Sequence, residues 1–349
     1  MYSLGRLALA NAARYLVALL IALATACAAP ETGILRPELA FTVSGEGGLT
    51  AARDFTVDQS GAVFIFDYGD YVIRKFDADG TQLMAFGGTG EEPGLFRHLM
   101  AIRVVGDSLL ALDAGSLSVF DLSGRFRSRR SFVDTVVCDL PRIHSDGSWA
   151  GEWIVAESAE KVLTSRRPDG TEVTRPESFA LREFFPGIEP GGLFFINPTQ
   201  LRSYLYDFDR YGRLVWAVSD RLQLFADDAG VRIDLCQAEA TSIPYPSHEI
   251  ASLETRQAAL QPPFFLNVPT HYQLIHQLII DDLGNIWLYV KSQERTGLIR
   301  LSSTGTFTGS YQLDAEFDPM AARMTAANGR LYFMSGSREA VRIFSVDLP

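Results

Sequence analysis

Few residue groupings in this chain of 349 residues could carry chemistry. Asp67, Asp70, Asp77 and Asp113 could offer oxygen ligands to calcium, yet no EF-hand spacing holds them, and aspartates beside glycines more commonly build turns. Gly87-Gly88-Thr89-Gly90 looks like a phosphate loop but lacks the GK[ST] ending and an apparent following helix. Serine, histidine and aspartate are all present without a G-x-S-x-G nucleophile elbow. Five scattered histidines and three cysteines without a CxxC pair give no metal cage or redox motif. These absences point to no metal site and no cofactor. Whether the protein is an enzyme stays open, with a non-catalytic reading favoured. The remaining candidates are aromatic: Phe184, Phe185, Phe194 and Phe195 in one long insertion, and Phe264 and Phe265 in another. They could line the mouth of a site for a small molecule or a protein. Packing over and between blades is their commoner use.

The elements that must position these residues are short strands. Six apolar runs, beginning at Val63, Leu109, Trp153, Leu214, Ile286 and Leu331, each follow a turn glycine. Those glycines are Gly61, Gly106, Gly147, Gly212, Gly284 and Gly329, and each of the first five is followed by another glycine 18 to 23 residues later. Glycine supplies the positive φ of tight hairpins, so each unit reads as a four-stranded antiparallel meander. Six meanders in one chain predict an all-β, six-bladed propeller. A seven-bladed ring or a two-sheet sandwich is the alternative. The last unit has only three strands before the chain stops. Leu39–Val43 is left unpaired at the other end and can close the ring as its fourth. Trp153, Trp216 and Trp287 fall on second strands and belong to the blade core. The second insertion carries a short helix pattern, with Ser247 at the cap, Glu249 in the first turn, and Ile250, Leu253 and Leu260 along one face.

The best-formed unit runs from Asp54 to Gly87, with Val57-Asp58-Gln59-Ser60-Gly61, Ile65-Phe66-Asp67 and Ile73-Arg74-Lys75-Phe76-Asp77. Followed by Glu92-Pro93-Gly94-Leu95-Phe96, it resembles an NHL-type repeat and its linker. Asp67 matches the family's aspartate after the second strand, while Gly69-Asp70 stands where the family usually has Gly-Asn. Leu278–Asp282 with Gly284-Asn285 forms a second recognisable unit, and this stretch with Pro262-Pro263 resembles six-bladed bacterial lipoproteins. The resemblance implies a fold and leaves function to the site. Its enzymatic alternative is a hydrolase or lyase resembling the gluconolactonase-like enzymes. In those, carboxylate and Asn side chains from several blades hold a divalent metal in the central channel.

The N-terminus carries an address. Arg6 and Arg14 are the only charged residues before Glu31, and an apolar run from Tyr15 to Ala26 follows them. It is too short to span a bilayer and has the length of a signal-peptide core. Its end, Leu23-Ala24-Thr25-Ala26-Cys27, resembles a bacterial lipoprotein signal, with Ala24 where the family usually has Leu. The resemblance implies lipidation of Cys27, residues 1–26 as a leader, 27–38 as a lipidated tether and 39–349 as the propeller. An ordinary cleavage after Ala26 or Ala29 is the alternative. With 42 acidic against 31 basic side chains the net charge is −11, so neither an anionic bilayer nor nucleic acid would attract this surface. Membrane attachment would then come from acyl chains. Ala28 after the cysteine implies the outer membrane in a Gram-negative cell. The partners expected are the membrane, through the anchor, and an unidentified protein or small-molecule ligand. Cys138 and Cys236 are expected near the innermost strand of the third blade and the outermost strand of the fourth, too far apart to bridge.

Overall fold

One turn recurs through the chain and sets the strand pairs. Asp58 Oδ1 accepts the N–H groups of Ser60 and Ala62 at 2.9 and 3.0 Å, while Gly61 takes a φ of +84°. Asp77, Asp121, Asp209 and Asp281 repeat this two-residue and four-residue capping in their own turns. The Ser302 hydroxyl does the same. Each of these turns joins either the first and second or the third and fourth strand of its blade, so a meander grows from the centre of the ring to its rim.

The computed structural model describes residues 30–44, 49–131, 141–155, 160–180, 203–228, 231–238, 240–258, 271–336 and 340–349. Two strands, β1 (Glu31–Leu35) and β2 (Glu38–Ser44), precede the meanders. Blade one comprises β3 (Ala52–Val57), β4 (Val63–Asp67), β5 (Val72–Phe76) and β6 (Gln82–Gly87). Blade two comprises β7 (Leu99–Val105), β8 (Ser108–Asp113), β9 (Ser116–Asp121) and β10 (Phe126–Ser131). Blade three comprises β11 (Arg142–Ile143), β12 (Trp149–Val155), β13 (Glu160–Arg166) and β14 (Glu172–Ala180). Blade four comprises β15 (Tyr204–Phe208), β16 (Leu214–Val218), β17 (Leu222–Asp228) and β18 (Val231–Ala238). After the helix α1 (Ser247–Ala258), blade five follows as β19 (Ile275–Ile280), β20 (Ile286–Lys291), β21 (Thr296–Leu301) and β22 (Phe307–Leu313). Blade six is β23 (Arg323–Ala327), β24 (Arg330–Gly336) and β25 (Ala340–Asp347), with β2 as its outermost strand. The six apolar runs of the sequence all lie on second strands. The fold is the expected six-bladed propeller, closed by the N-terminal strand.

The core is divided into six wedges, one between each pair of adjacent blades. Trp216 fills the wedge between blades three and four, and Trp287 the wedge between five and six. The closing wedge joins blade six to blade one through Phe41 and Val43 of β2, Ile343 of β25, and Phe55, Ile65 and Phe76 of blade one. Phe41 reaches the neighbouring blade because Gly80 has no side chain. A Cβ there would stand 2.6 Å from that of Phe41.

Three details differ from the sequence reading or refine it. Within the segment read as a tether, β1 pairs in parallel with β22 and makes blade five a five-stranded sheet. Tyr311 Oη and Arg300 both donate to Glu31 there, at 2.7 and 2.8 Å. Ser247 is the first helical residue of α1 and not its cap, because the carbonyl of Pro246 accepts the Ile250 N–H that opens the helix. Glu249 does stand in the first turn, where its carboxylate accepts a 2.6 Å hydrogen bond from Tyr272 Oη and ties the helix to the ring. Cys236 lies on the outermost strand of blade four as a free thiol, and Cys138 lies outside the described residues.

Closure by β2 predicts that removing Leu39–Val43 lowers the stability of the entire ring. The milder Phe41→Ala should cost about 3 kcal/mol, the usual scale for emptying a buried phenylalanine site. Denaturant unfolding checks both. A wild-type midpoint in either variant would show that the ring is closed by other means.

Candidate functional site

The innermost strands β3, β7, β11, β15, β19 and β23 face a shared channel. Each has only one sheet neighbour, so N–H and C=O groups on its inner edge need partners from elsewhere. Side chains supply several. Asp54 Oδ2 on β3 accepts the N–H of Ile102 on β7 at 3.1 Å. Two residues along, Thr56 Oγ1 accepts the N–H of Val104 at 3.1 Å. Asp207 Oδ2 on β15 accepts the N–H of Ile280 on β19 at 3.0 Å. Its Oδ1 takes the Phe208 N–H at 2.9 Å and one Arg103 N–H at 3.3 Å. The Arg103–Asp207 pair joins blade two to blade four past blade three. The first strand of blade three, β11, has only two residues.

Together these strands enclose a cavity of about 240 Å³. It runs from mid-channel to the turns joining first and second strands, and Gln59, Asp282 and Asn328 line that end. Asp54 and Asp207 are both buried, at 5% exposure each. Burial pushes the Asp54 carboxyl above its ordinary value, and the positive charges of Arg142 and Arg323 offset this only in part. Arg142 lines the cavity, and its side chain makes no hydrogen bond to any described residue.

A divalent cation would need several oxygen ligands with lone pairs free to converge on it. The channel offers two buried carboxylates, each bonded to backbone N–H groups, with Arg103 on one and Arg142 close to the other. That donor set does not fit a divalent metal. Among the described residues, no three His, Cys, Asp or Glu side chains come together in a way that could hold one.

The aspartates singled out in the sequence serve turns and blade junctions. Asp67 takes N–H bonds from Thr50, Ala51 and Gly69 at 2.6 to 2.9 Å. Asp113 takes those of Arg97 and His98. Asp70 pairs with Arg74 at 2.6 Å, and Asp77 caps its own turn. In the glycine-rich loop, the N–H groups of Gly88 and Gly90 are bonded to Tyr71 O and Phe96 O. Cys27, Phe184, Phe185, Phe194, Phe195, Phe264 and Phe265 lie outside the described residues. The sequence reading passed over Asp54, Arg103, Arg142 and Asp207. The signal was there: each is a charged residue in or beside the first strand of its unit.

No family model matches the chain, and no curated protein does. Among solved structures it is similar to a member of the duf4221 family from Bacteroides vulgatus, at 10% identity and a TM-score of 0.51, over 90% of this chain and 97% of that one. It is also similar to regucalcin, a calcium-binding protein from Agrobacterium tumefaciens, at 10% identity and a TM-score of 0.47, covering 92% and 98%. A third is virginiamycin B lyase from Staphylococcus aureus, at 10% identity and a TM-score of 0.44, covering 87% and 98%. At these identities the first likeness is one of fold, and the other two carry no argument about chemistry.

The position of Asp54 makes a pH-dependent prediction. A carboxyl whose folded pKa is raised costs stability above that pKa, and the cost vanishes as pH falls below the ordinary value of 3.8. Asp54→Asn keeps an oxygen for the Ile102 N–H and removes the buried charge. The variant should melt above wild type at pH 7 and converge with it in acid. A lower melting temperature at pH 7 would show that the ionised carboxylate is favourable there.

Proposed function

We propose that the protein is a non-catalytic binding or scaffold propeller of the cell envelope, anchored by lipid on Cys27 and held at the outer membrane where the cell has one. One observation carries the non-catalytic part: the buried carboxylates of the channel are committed to holding neighbouring blades together. A propeller hydrolase or lyase of the metal-dependent kind would need such groups free. The aromatic segments with Phe184, Phe185, Phe194, Phe195, Phe264 and Phe265 are proposed to line a mouth for a protein or small-molecule partner. The anchor reading rests on the lipoprotein-like ending at Cys27 and on the acidic surface, which gives an anionic bilayer no electrostatic hold.

Cys27→Ser should move the protein from the membrane to the soluble fraction. Unchanged partitioning into detergent would contradict lipid anchoring. Elemental analysis of the purified protein should find less than stoichiometric calcium, zinc and manganese. One retained metal ion per chain, lost on Asp54→Asn or Asp207→Asn, would replace the binding reading with the enzymatic one.

A further inference from the structure

The two buried carboxylates of the channel are already bonded, while guanidinium donors beside them are not fully used. Asp54 takes backbone N–H bonds from Ile102 and Phe55. Asp207 takes those of Ile280 and Phe208 together with the Arg103 guanidinium. Asp282, at the turn end of the cavity, accepts the Asn328 N–H at 2.8 Å. On the donor side, Arg103 gives Asp207 a single N–H, and its side chain remains 35% exposed. The Arg142 guanidinium gives no hydrogen bond to a described residue. The Thr56 hydroxyl accepts from Val104 and so retains its own proton for donation. Both guanidinium groups and this hydroxyl line the same cavity of about 240 Å³, as does Thr325.

We propose that this channel binds a small oxyanion, a carboxylate or inorganic phosphate, between Arg103 and Arg142. The proposal deepens the binding reading and rests on it. Guanidinium forks match the paired oxygens of carboxylate and phosphate, and such charge-assisted bonds are about twice as strong as neutral ones. The volume suits an anion of a few heavy atoms and is small for a larger ligand. Local charge permits it: Arg103, Arg142 and Arg323 stand against Asp54, Asp207 and Asp282, and the first two carboxylates are already bonded. The overall charge of −11 opposes approach from afar, but salt screens it beyond about 8 Å at physiological ionic strength. Recognition then depends on hydrogen bonds made inside the channel.

The test is calorimetric titration of the full-length protein in detergent with inorganic phosphate and, separately, with succinate, at constant ionic strength against sodium chloride. Saturable binding of either anion is expected, and which one binds more tightly identifies the source of the oxygens. Arg142→Gln should weaken binding by about tenfold or more, with at most a modest fall in the melting temperature in chloride from the loss of a positive charge near Asp54. If that variant is unstable, Arg142→Lys keeps the charge without the fork and should bind with intermediate affinity. Asp54→Asn should bind more tightly than wild type, because it removes a competing negative charge without removing a donor. Heats no different from chloride, or wild-type affinity in the Arg142 variants, would overturn the proposal. If the protein then also carries no metal, the binding reading survives at another surface; a stoichiometric metal would overturn that reading instead.

Discussion

A ring of sheets leaves the inner edge of every first strand without a strand to pair with, and the rest of this molecule depends on how those edges are satisfied. A buried N–H without a partner costs about 1 to 3 kcal/mol. Here the partners are side chains from the neighbouring blade. Asp54 and Thr56 hold blade two to blade one through alternate residues of β7, and Asp207 holds blade five to blade four. Glu152 on β12 accepts the Tyr204 N–H and joins blades three and four, with Lys161 at 2.9 Å as its ion-pair partner. Between blades five and six, Gln277 donates to the carbonyl of Pro319 at 2.9 Å and to that of Ala322 at 2.5 Å. Asn328 donates to the Asp58 carbonyl at 2.8 Å and joins blade six to blade one.

This use of carboxylates decides what the channel can do. A carboxylate buried to hold backbone N–H groups has fewer lone pairs, and less freedom to turn, left for a metal. Its charge also calls for cations nearby, in keeping with Arg103 and Arg142 in the cavity and the charge of Arg323 acting on Asp54. The outcome is a channel with spare hydrogen-bond donors in a protein whose surface is acidic. Chemistry built on converging carboxylates would need a different wall.

Turn chemistry made the architecture legible. The spaced glycines and their preceding aspartates predict hairpins, because a side-chain acceptor at the first position and a positive φ at the fourth are what the reversal needs. Asp58-Gln59-Ser60-Gly61 and Asp281-Asp282-Leu283-Gly284 behave as that rule expects. The closing strand was legible from an incomplete last unit. The pairing of β1 with β22 was not, since Glu31-Thr32-Gly33-Ile34-Leu35 has only a short apolar pattern and its partner lies about 280 residues away. Most of the channel was missed for a related reason. Arg103 and Asp207 meet across blades although about 100 residues separate them in sequence, a pairing that no local window contains.

The most direct measurement is native-state hydrogen exchange read at single amides. Ile102, Val104 and Ile280 sit on the free edges of their strands, where an unbonded amide facing the channel would exchange quickly. If Asp54, Thr56 and Asp207 are the staples of the ring, these three amides should be protected as strongly as those paired within the sheets, and Asp54→Asn should keep most of that protection. Exchange of all three at the rate of open loop amides would contradict the staples, and would leave the channel carboxylates free to bind something else.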